Sequence, residues 1–277
     1  MKSFSQIRIS VLYMLIFLAT ATGFAAATYE LADSVEGHYA ELSMQVDNIR
    51  VTKPERVVTL PKVATPVIVK NVADITRNDG KWVLVNKTKR LPLEYIPAEL
   101  VPVTVPHRNE SDKSSLRLHT LVKSPLETLF ADAKKAGHTL MVSSAYRSAS
   151  LQQTYFNEYV STRGLAIAER YSAHPGASEH QTGLAVDVST ENERCYAGEC
   201  YIGAAASKWI ADNAHRYGFV VRYQKGKEDI TGYNYEPWHL RYFGEELATA
   251  LHSSGMVYEE VVPYLLGEKE HEHVHED

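Results

Sequence analysis

The chain has 277 residues and a mass of 31.1 kDa, room for one large domain or two small ones. Hydrophobic residues make up 44% and charged residues 23%, which provides for a sizeable core and excludes a disordered or collagen-like protein. Lys+Arg 29 against Asp+Glu 34 leaves a net charge of −5 with no basic stripe, which argues against a nucleic-acid partner. Two cysteines are too few for a disulfide scaffold or a Cys-rich zinc module.

Lys2 and Arg8 precede residues 9–27, which carry no charge. The densest apolar part, 11–18, has the length of a signal-peptide h-region, and Ala25-Ala26-Ala27 offers a small-x-small cleavage site. About 20 apolar residues can also anchor uncleaved in a bilayer, although Thr20, Thr22 and Gly23 dilute the second half. Residues 1–27 therefore read as a signal peptide or a membrane anchor. Either places the bulk of the protein outside the cytoplasmic membrane, with membrane contact through this segment only. No cysteine stands directly after the h-region, which argues against a lipid-anchored form. Cleavage after Ala27 removes two cations and no acid, so any anionic ligand has to be met by local residues.

Residues 28–79 have no 3.6-residue period and are punctuated by Pro54, Pro61 and Pro66. Val57-Val58 and Val67-Ile68-Val69 are short strand-like runs, and nothing here carries chemistry. The stretch reads as a spacer or stalk with some extended structure.

The folded domain is expected over residues 80–266. Trp82-Val83-Leu84-Val85-Asn86 reads as a strand, followed by an extended path through Pro92, Pro97, Pro102 and Pro106. Ser124-Pro125-Leu126-Glu127 puts Ser at the N-cap, Pro at the first helical position and Glu at the third, which predicts a helix start. Leu126, Leu129, Phe130 and Ala133 give that helix one apolar face, and Gly137 ends it. A strand at 139–143 follows, then a helix opening at Ser148 and running through Leu151, Tyr155 and Tyr159. Later come a strand at 184–188, a helix at about 204–217 stopped by Gly218, strands at 219–223 and near 238–242, and a helix from Glu245. The mixture lacks a regular βαβ rhythm, which favours an α+β fold over a doubly wound sheet. Residues 267–277 alternate acids with His271, His273 and His275 and read as a solvated tail, with weak metal scavenging as the alternative.

Three clusters carry chemistry. In Ser178-Glu179-His180-Gln181-Thr182-Gly183-Leu184-Ala185-Val186-Asp187, His180 and Asp187 offer an imidazole nitrogen and a carboxylate oxygen, a pair suited to zinc. Their spacing fits a loop feeding a strand, with Gly183 allowing a tight turn. Asp187 lies in an apolar run, where a carboxylate needs a strong partner; a surface His and a strand-end Asp is the bland alternative. In Tyr235-Glu236-Pro237-Trp238-His239, an ideal strand sets Glu236 and His239 on opposite sides, whereas a turn at Pro237 lets His239 ligate beside Glu236. Two His and one Asp make the three-ligand set of a catalytic zinc site. In Ser144-Ala145-Tyr146-Arg147-Ser148, Arg147 sits where a strand meets a helix N-terminus, a favourable place for anionic groups, with Gln152 four residues beyond Ser148.

Together these clusters resemble one family. The pattern Ser-x-His-x-x-Gly-x-Ala-x-Asp is met from Ser178 to Asp187, Tyr-Arg-Ser-x-x-x-Gln from Tyr146 to Gln152, and Glu-Pro-Trp-His from Glu236 to His239. Leu84-Val85-Asn86, Leu91-Pro92, Gly218-Phe219 and Ile230-Thr231-Gly232 match as well. Over roughly residues 81–265 the chain is similar to VanY-type D-alanyl-D-alanine carboxypeptidases, zinc peptidases of the LAS superfamily.

The resemblance implies a small antiparallel sheet with flanking helices and one Zn2+ per chain, bound by His180, Asp187 and His239. It implies Glu236 as general base, Arg147 as support for the scissile carbonyl's oxyanion, and Ser178 and Gln152 as substrate-binding residues. The expected reaction removes the terminal D-alanine from peptidoglycan stem pentapeptides or their precursor, by a protein secreted or anchored facing the cell wall. An L,D-carboxypeptidase, a D,D-dipeptidase or a crosslink endopeptidase shares the zinc set and differs in pocket depth. A non-catalytic wall-binding module on the same fold has no need of Glu236. Two departures stand out: Ala145 takes a place where glycine is common, and Cys195 and Cys200 flank Tyr196-Ala197-Gly198-Glu199. In an oxidising compartment that pair reads as a local disulfide, with two free thiols as the alternative.

Overall fold

The computed structural model describes residues 55–60, 66–108, 116–190 and 199–269. The expectations for residues 1–27, for Cys195 and the side chain of Cys200, and for the histidines of the tail lie outside these. Among the described residues no helix is long and apolar enough to cross a membrane.

In chain order, β1 (Arg56–Thr59) pairs antiparallel with β2 (Pro66–Val69), and α1 (Ala73–Thr76) follows. A second antiparallel pair joins β3 (Leu100–Pro102) to β4 (Arg117–His119), which runs straight into α2 (Thr120–Lys135). Next come β5 (Leu140–Ser144), α3 (Ala149–Arg163), α4 (Leu165–Tyr171), a 3-10 turn at Glu179–Thr182 and β6 (Ala185–Thr190). After α5 (Glu199–Ile202) and α6 (Ala205–Asn213) come β7 (Phe219–Tyr223), α7 (Glu228–Thr231), β8 (Glu236–Tyr242), α8 (Glu245–Ser254) and α9 (Tyr258–Leu266). The principal sheet is fully antiparallel in the order β5-β6-β8-β7, an α+β arrangement.

Strand alternation sorts this sheet into two faces. Leu140, Val142, Val186, Val188, Phe219 and Leu240 point into one core, where α2 contributes Val122, Leu126, Leu129, Phe130 and Ala133 and α6 contributes Ile210. The intervening residues Asp187, Arg222, His239 and Arg241 are also buried, on the other face. A second core packs Val58, Leu60, Val67, Val69 and Ile75 against Trp82, Val220, Phe243 and the inner faces of α8 and α9. Residues 56–60 and 66–76, within the stretch read as a spacer, are therefore folded onto the domain; their alternating valines need an apolar surface to cover, and α8 and α9 supply it.

Two local expectations differ from the structure. Trp82 to Asn86 forms no strand: it opens in a turn, with the Val83 amide donating to the Gly80 carbonyl at 3.1 Å. The carbonyls of Lys81 and Val83 accept from Arg241 Nη2 at 3.0 and 3.1 Å, Trp82 accepts from the Tyr258 hydroxyl, and Asn86 Oδ1 turns back onto the Thr88 and Lys89 amides. Side chains thus satisfy what a neighbouring strand would have bonded. Helix α2 starts at Thr120, not after Ser124: His119 Nδ1 caps the Leu121 amide at 3.2 Å, and Pro125 lies inside the helix. Fully buried Val122 extends the apolar face one turn upstream, and this packing outweighs the local cap signal.

Candidate metal and catalytic site

The site begins with the turn that carries His180. Thr182 Oγ1 donates to the Glu179 carbonyl at 2.6 Å and accepts from the Leu184 amide at 3.0 Å, closing the turn. Gly183 has φ +70°, and a Cβ there would come within 2.8 Å of Leu100 Cδ2 and 3.0 Å of the His119 nitrogen. Both the left-handed backbone and the close approach call for glycine. The turn delivers His180 to the start of β6, where Asp187 pairs in register with His239 of β8.

His180, Asp187 and His239 are buried, and one ligand atom from each lies within 4.8 Å of the others. His180 Nδ1 lies 2.6 Å from the Ala145 carbonyl, which can only accept, so its proton is on Nδ1 and Nε2 faces Asp187 Oδ2 at 3.2 Å. His239 Nδ1 lies 3.0 Å from Asp187 Oδ1, and Tyr223 stacks on its ring at 4.9 Å between centroids. Burial lowers His180 and works against ionisation of Asp187, but the two histidines hold the Asp187 carboxyl well below its ordinary range. Burial likewise opposes the charged form of His239, yet hydrogen bonds to Asp187 and Glu179 raise it to about 9 without metal. Two imidazoles and a carboxylate that converge in this way can hold a divalent cation.

Behind His239 lies a buried network that the sequence motifs do not reveal. Fully buried Glu179 takes Arg222 Nε at 2.8 Å and Arg241 Nη1 at 3.0 Å on Oε1, and its Oε2 lies 3.3 Å from His239 Nε2. Arg222 in turn forks onto Glu259 at 2.8 and 2.7 Å. Burial pushes Glu179 up, but Arg222, Arg241 and His239 together hold it ionised. The available signal was a charge inside each apolar strand run, Arg222 after Phe219-Val220-Val221 and Arg241 after Leu240, since such a charge requires a buried partner.

Glu236 and His239 share the site because β8 pairs irregularly with β7. Val221 pairs with Leu240 and Tyr223 with Glu236, so Pro237, Trp238 and His239 of β8 stand opposite Arg222 alone in β7. Burial raises the Glu236 carboxyl to about 8, and the charges of His239, Asp187 and Arg147 all bear on it. Arg147 stands at the end of β5, where Ser148 Oγ caps α3 by accepting from the Leu151 amide at 3.2 Å. Its Nη1 donates to Gln152 Oε1 at 2.9 Å and its Nη2 to Ser144 Oγ at 2.7 Å, with Asp187 Oδ2 at 3.8 Å. The Gln152 amide is spent inside the protein, since Nε2 also donates to Ala173 O at 2.8 Å and Ser172 Oγ at 3.2 Å. Ser178 is buried immediately before the His180 turn.

Comparison with known proteins converges on one family. The VanY family model, described as D-alanyl-D-alanine carboxypeptidase, matches residues 115–245. The chain is 42% identical over 177 residues to the putative carboxypeptidase YodJ of Bacillus subtilis, covering 64% of this chain and 65% of that protein's length. It is 34% identical over 204 residues to a D-alanyl-D-alanine carboxypeptidase of Enterococcus faecalis, with 69% of each covered. The solved LdcB LD-carboxypeptidase matches with a TM-score of 0.64 and 36% identity, over 76% of this chain and 94% of that one. A variant of a VanY D,D-pentapeptidase from a VanB-type vancomycin resistance cassette, in complex with Zn(II), matches with a TM-score of 0.55 and 32% identity, over 65% of this chain and 97% of that one.

Proposed function

The chain belongs to the VanY family of D-alanyl-D-alanine carboxypeptidases, and we propose that it is a zinc-dependent D,D-carboxypeptidase removing the terminal D-alanine from peptidoglycan stem pentapeptides. What supports this reading is the convergence of three metal donors, a buried carboxyl and a guanidinium on one sheet face. The donor set suits zinc, because His180 Nδ1 and His239 Nε2 are engaged elsewhere and the other ring nitrogens face Asp187. Zinc bound by His180, Asp187 and His239 supplies a Lewis acid that acidifies water and polarises the scissile carbonyl.

The remaining work falls to the chain's own residues. Glu236 accepts the proton of the attacking water and delivers it to the leaving amine, as the water oxygen bonds to the carbonyl carbon and the C–N bond breaks. Burial raises the proton affinity of Glu236 in the metal-free protein; the charge of a bound cation would oppose this and favour the carboxylate form that accepts the proton. Arg147 answers the charge that develops on the carbonyl oxygen only in the transition state, where stabilisation raises the rate. Gln152 acts through Arg147 by fixing its fork, and Ser178 lines the end of the site that takes the substrate's C-terminus. The products are free D-alanine and a stem peptide one residue shorter. The uncharged stretch after Lys2 and Arg8 supports a secreted or membrane-anchored protein acting outside the cytoplasmic membrane.

A second reading, L,D-carboxypeptidase action on tetrapeptides, is favoured by the likeness to the LdcB LD-carboxypeptidase. One experiment separates the two. The zinc-loaded protein is incubated with a stem pentapeptide ending in D-Ala-D-Ala and with the matching tetrapeptide, and the products are followed by mass. Loss of one alanine from the pentapeptide, blocked by a chelator, is the expected result. Cleavage of the tetrapeptide alone moves the specificity to L,D, and cleavage of neither overturns both readings.

A further inference from the structure

The two histidines of the metal cluster present different nitrogens, and different groups decide which. His180 Nδ1 donates to the Ala145 main-chain carbonyl, which leaves Nε2 for the metal side. His239 is turned the other way, with Nδ1 toward Asp187 and Nε2 toward Glu179 Oε2. Glu179 cannot act as a donor here. Arg222 and Arg241 both donate to its Oε1, and these two guanidinium charges hold the carboxylate as the anion, so Oε2 accepts. Glu259, 2.7 and 2.8 Å from Arg222, keeps that arginine in place.

From this arrangement we infer that Glu179 is the positioning residue for His239: it holds the imidazole proton on Nε2 and so keeps Nδ1 available to the metal. The inference rests on the zinc reading above. It assigns a role to a residue one position before a ligand and outside the ligand set, acting through the ring it orients.

The test begins with Glu179→Gln in the full chain. The new amide's oxygen turns to the two guanidinium groups, because its NH2 would meet donors there. The NH2 then faces His239 Nε2, which has to accept, and the ring proton moves to Nδ1. Zinc affinity, measured by competition with a chromophoric chelator, is expected to fall about 10–100-fold. Glu259→Gln disturbs the same network farther from the ring; it is expected to lower the thermal midpoint and leave zinc affinity at the wild-type level.

Unchanged zinc affinity in Glu179→Gln overturns the inference, as does an equal loss in both variants, which would make the network merely structural. Failure of the wild-type protein to bind zinc overturns the metal reading instead. If Glu179→Gln does not fold, 15N NMR of the zinc-loaded wild-type protein decides. A proton on His239 Nε2 is expected, and a bare Nε2 contradicts the assignment.

Discussion

Asp187 and His239 face each other across the central strand pair, with Asp187 Oδ1 3.0 Å from His239 Nδ1. The other oxygen of the same carboxylate lies 3.2 Å from His180 Nε2, so one side chain bridges two imidazoles. Removing it takes the only anionic donor from the cluster. Asp187→Ala is expected to lose zinc, read as a fall from one ion per chain to background by elemental analysis. A normal zinc content in that variant would take Asp187 out of the ligand set.

Glu236→Ala separates proton transfer from metal binding. It is expected to keep zinc and to lose about 10²–10⁴-fold in kcat on the pentapeptide, the usual contribution of a positioned acid-base group. Hydrolysis at the wild-type rate would show that another group moves the proton.

The metal-free protein is expected to lose stability as pH rises from 6 to 9. His239 is raised from 6.5 to about 9, so its contribution is complete below about 6.5 and disappears as pH rises through about 9. Glu236 is raised from 4.5 to about 8, so the unfolded chain releases this proton first and stability falls across that interval too. Asp187 and Glu179, held below their ordinary ranges, contribute in the opposite sense and lose their stabilisation only in acid. Differential scanning calorimetry of the apo protein should record a midpoint lower by about 5 °C or more at pH 9 than at pH 6. Glu236→Gln should flatten the part below pH 8, and a level profile in the wild-type protein would contradict the assignment.

The β1–β2 hairpin is expected to be required for folding. Val58, Leu60, Val67, Val69 and Ile75 are all buried in the second core. At about 1.5–3 kcal/mol each, their loss rivals the whole net stability of a domain, about 5–15 kcal/mol. A chain starting at Lys81 should therefore be insoluble or unfolded by circular dichroism, while one starting at Lys53 should fold. Cooperative unfolding of the shorter chain at an unchanged midpoint would show that the hairpin is an accessory.

Local chemistry was legible wherever it was decided locally. The strand at Phe219–Tyr223, the Ser148 cap and the helix from Glu245 could be read from alternation, capping and a preceding glycine. The His180–Asp187 and Glu236–His239 motifs stood out because imidazole and carboxylate in apolar surroundings need a strong partner. The helix start at Thr120 was not legible, since Val122 is buried by a core that Ser124 and Pro125 do not register. Nor was the loss of strand character at Trp82 to Asn86, where Arg241 reaches in from β8 to satisfy the carbonyls of Lys81 and Val83.

The sequence by itself determined the donor types, the candidate base and guanidinium, and the alternation that buries one face of each strand, because these follow from residue chemistry and short-range period. Only the tertiary structure decided that Asp187 registers with His239, that the irregular pairing at Pro237 brings Glu236 to the same site, and that Glu179 joins Arg222 and Arg241 behind the metal cluster. The physical reason is distance along the chain. Strand register and buried ion networks are fixed by packing between segments tens of residues apart, and a one-residue change of register would turn each of these side chains to the opposite face.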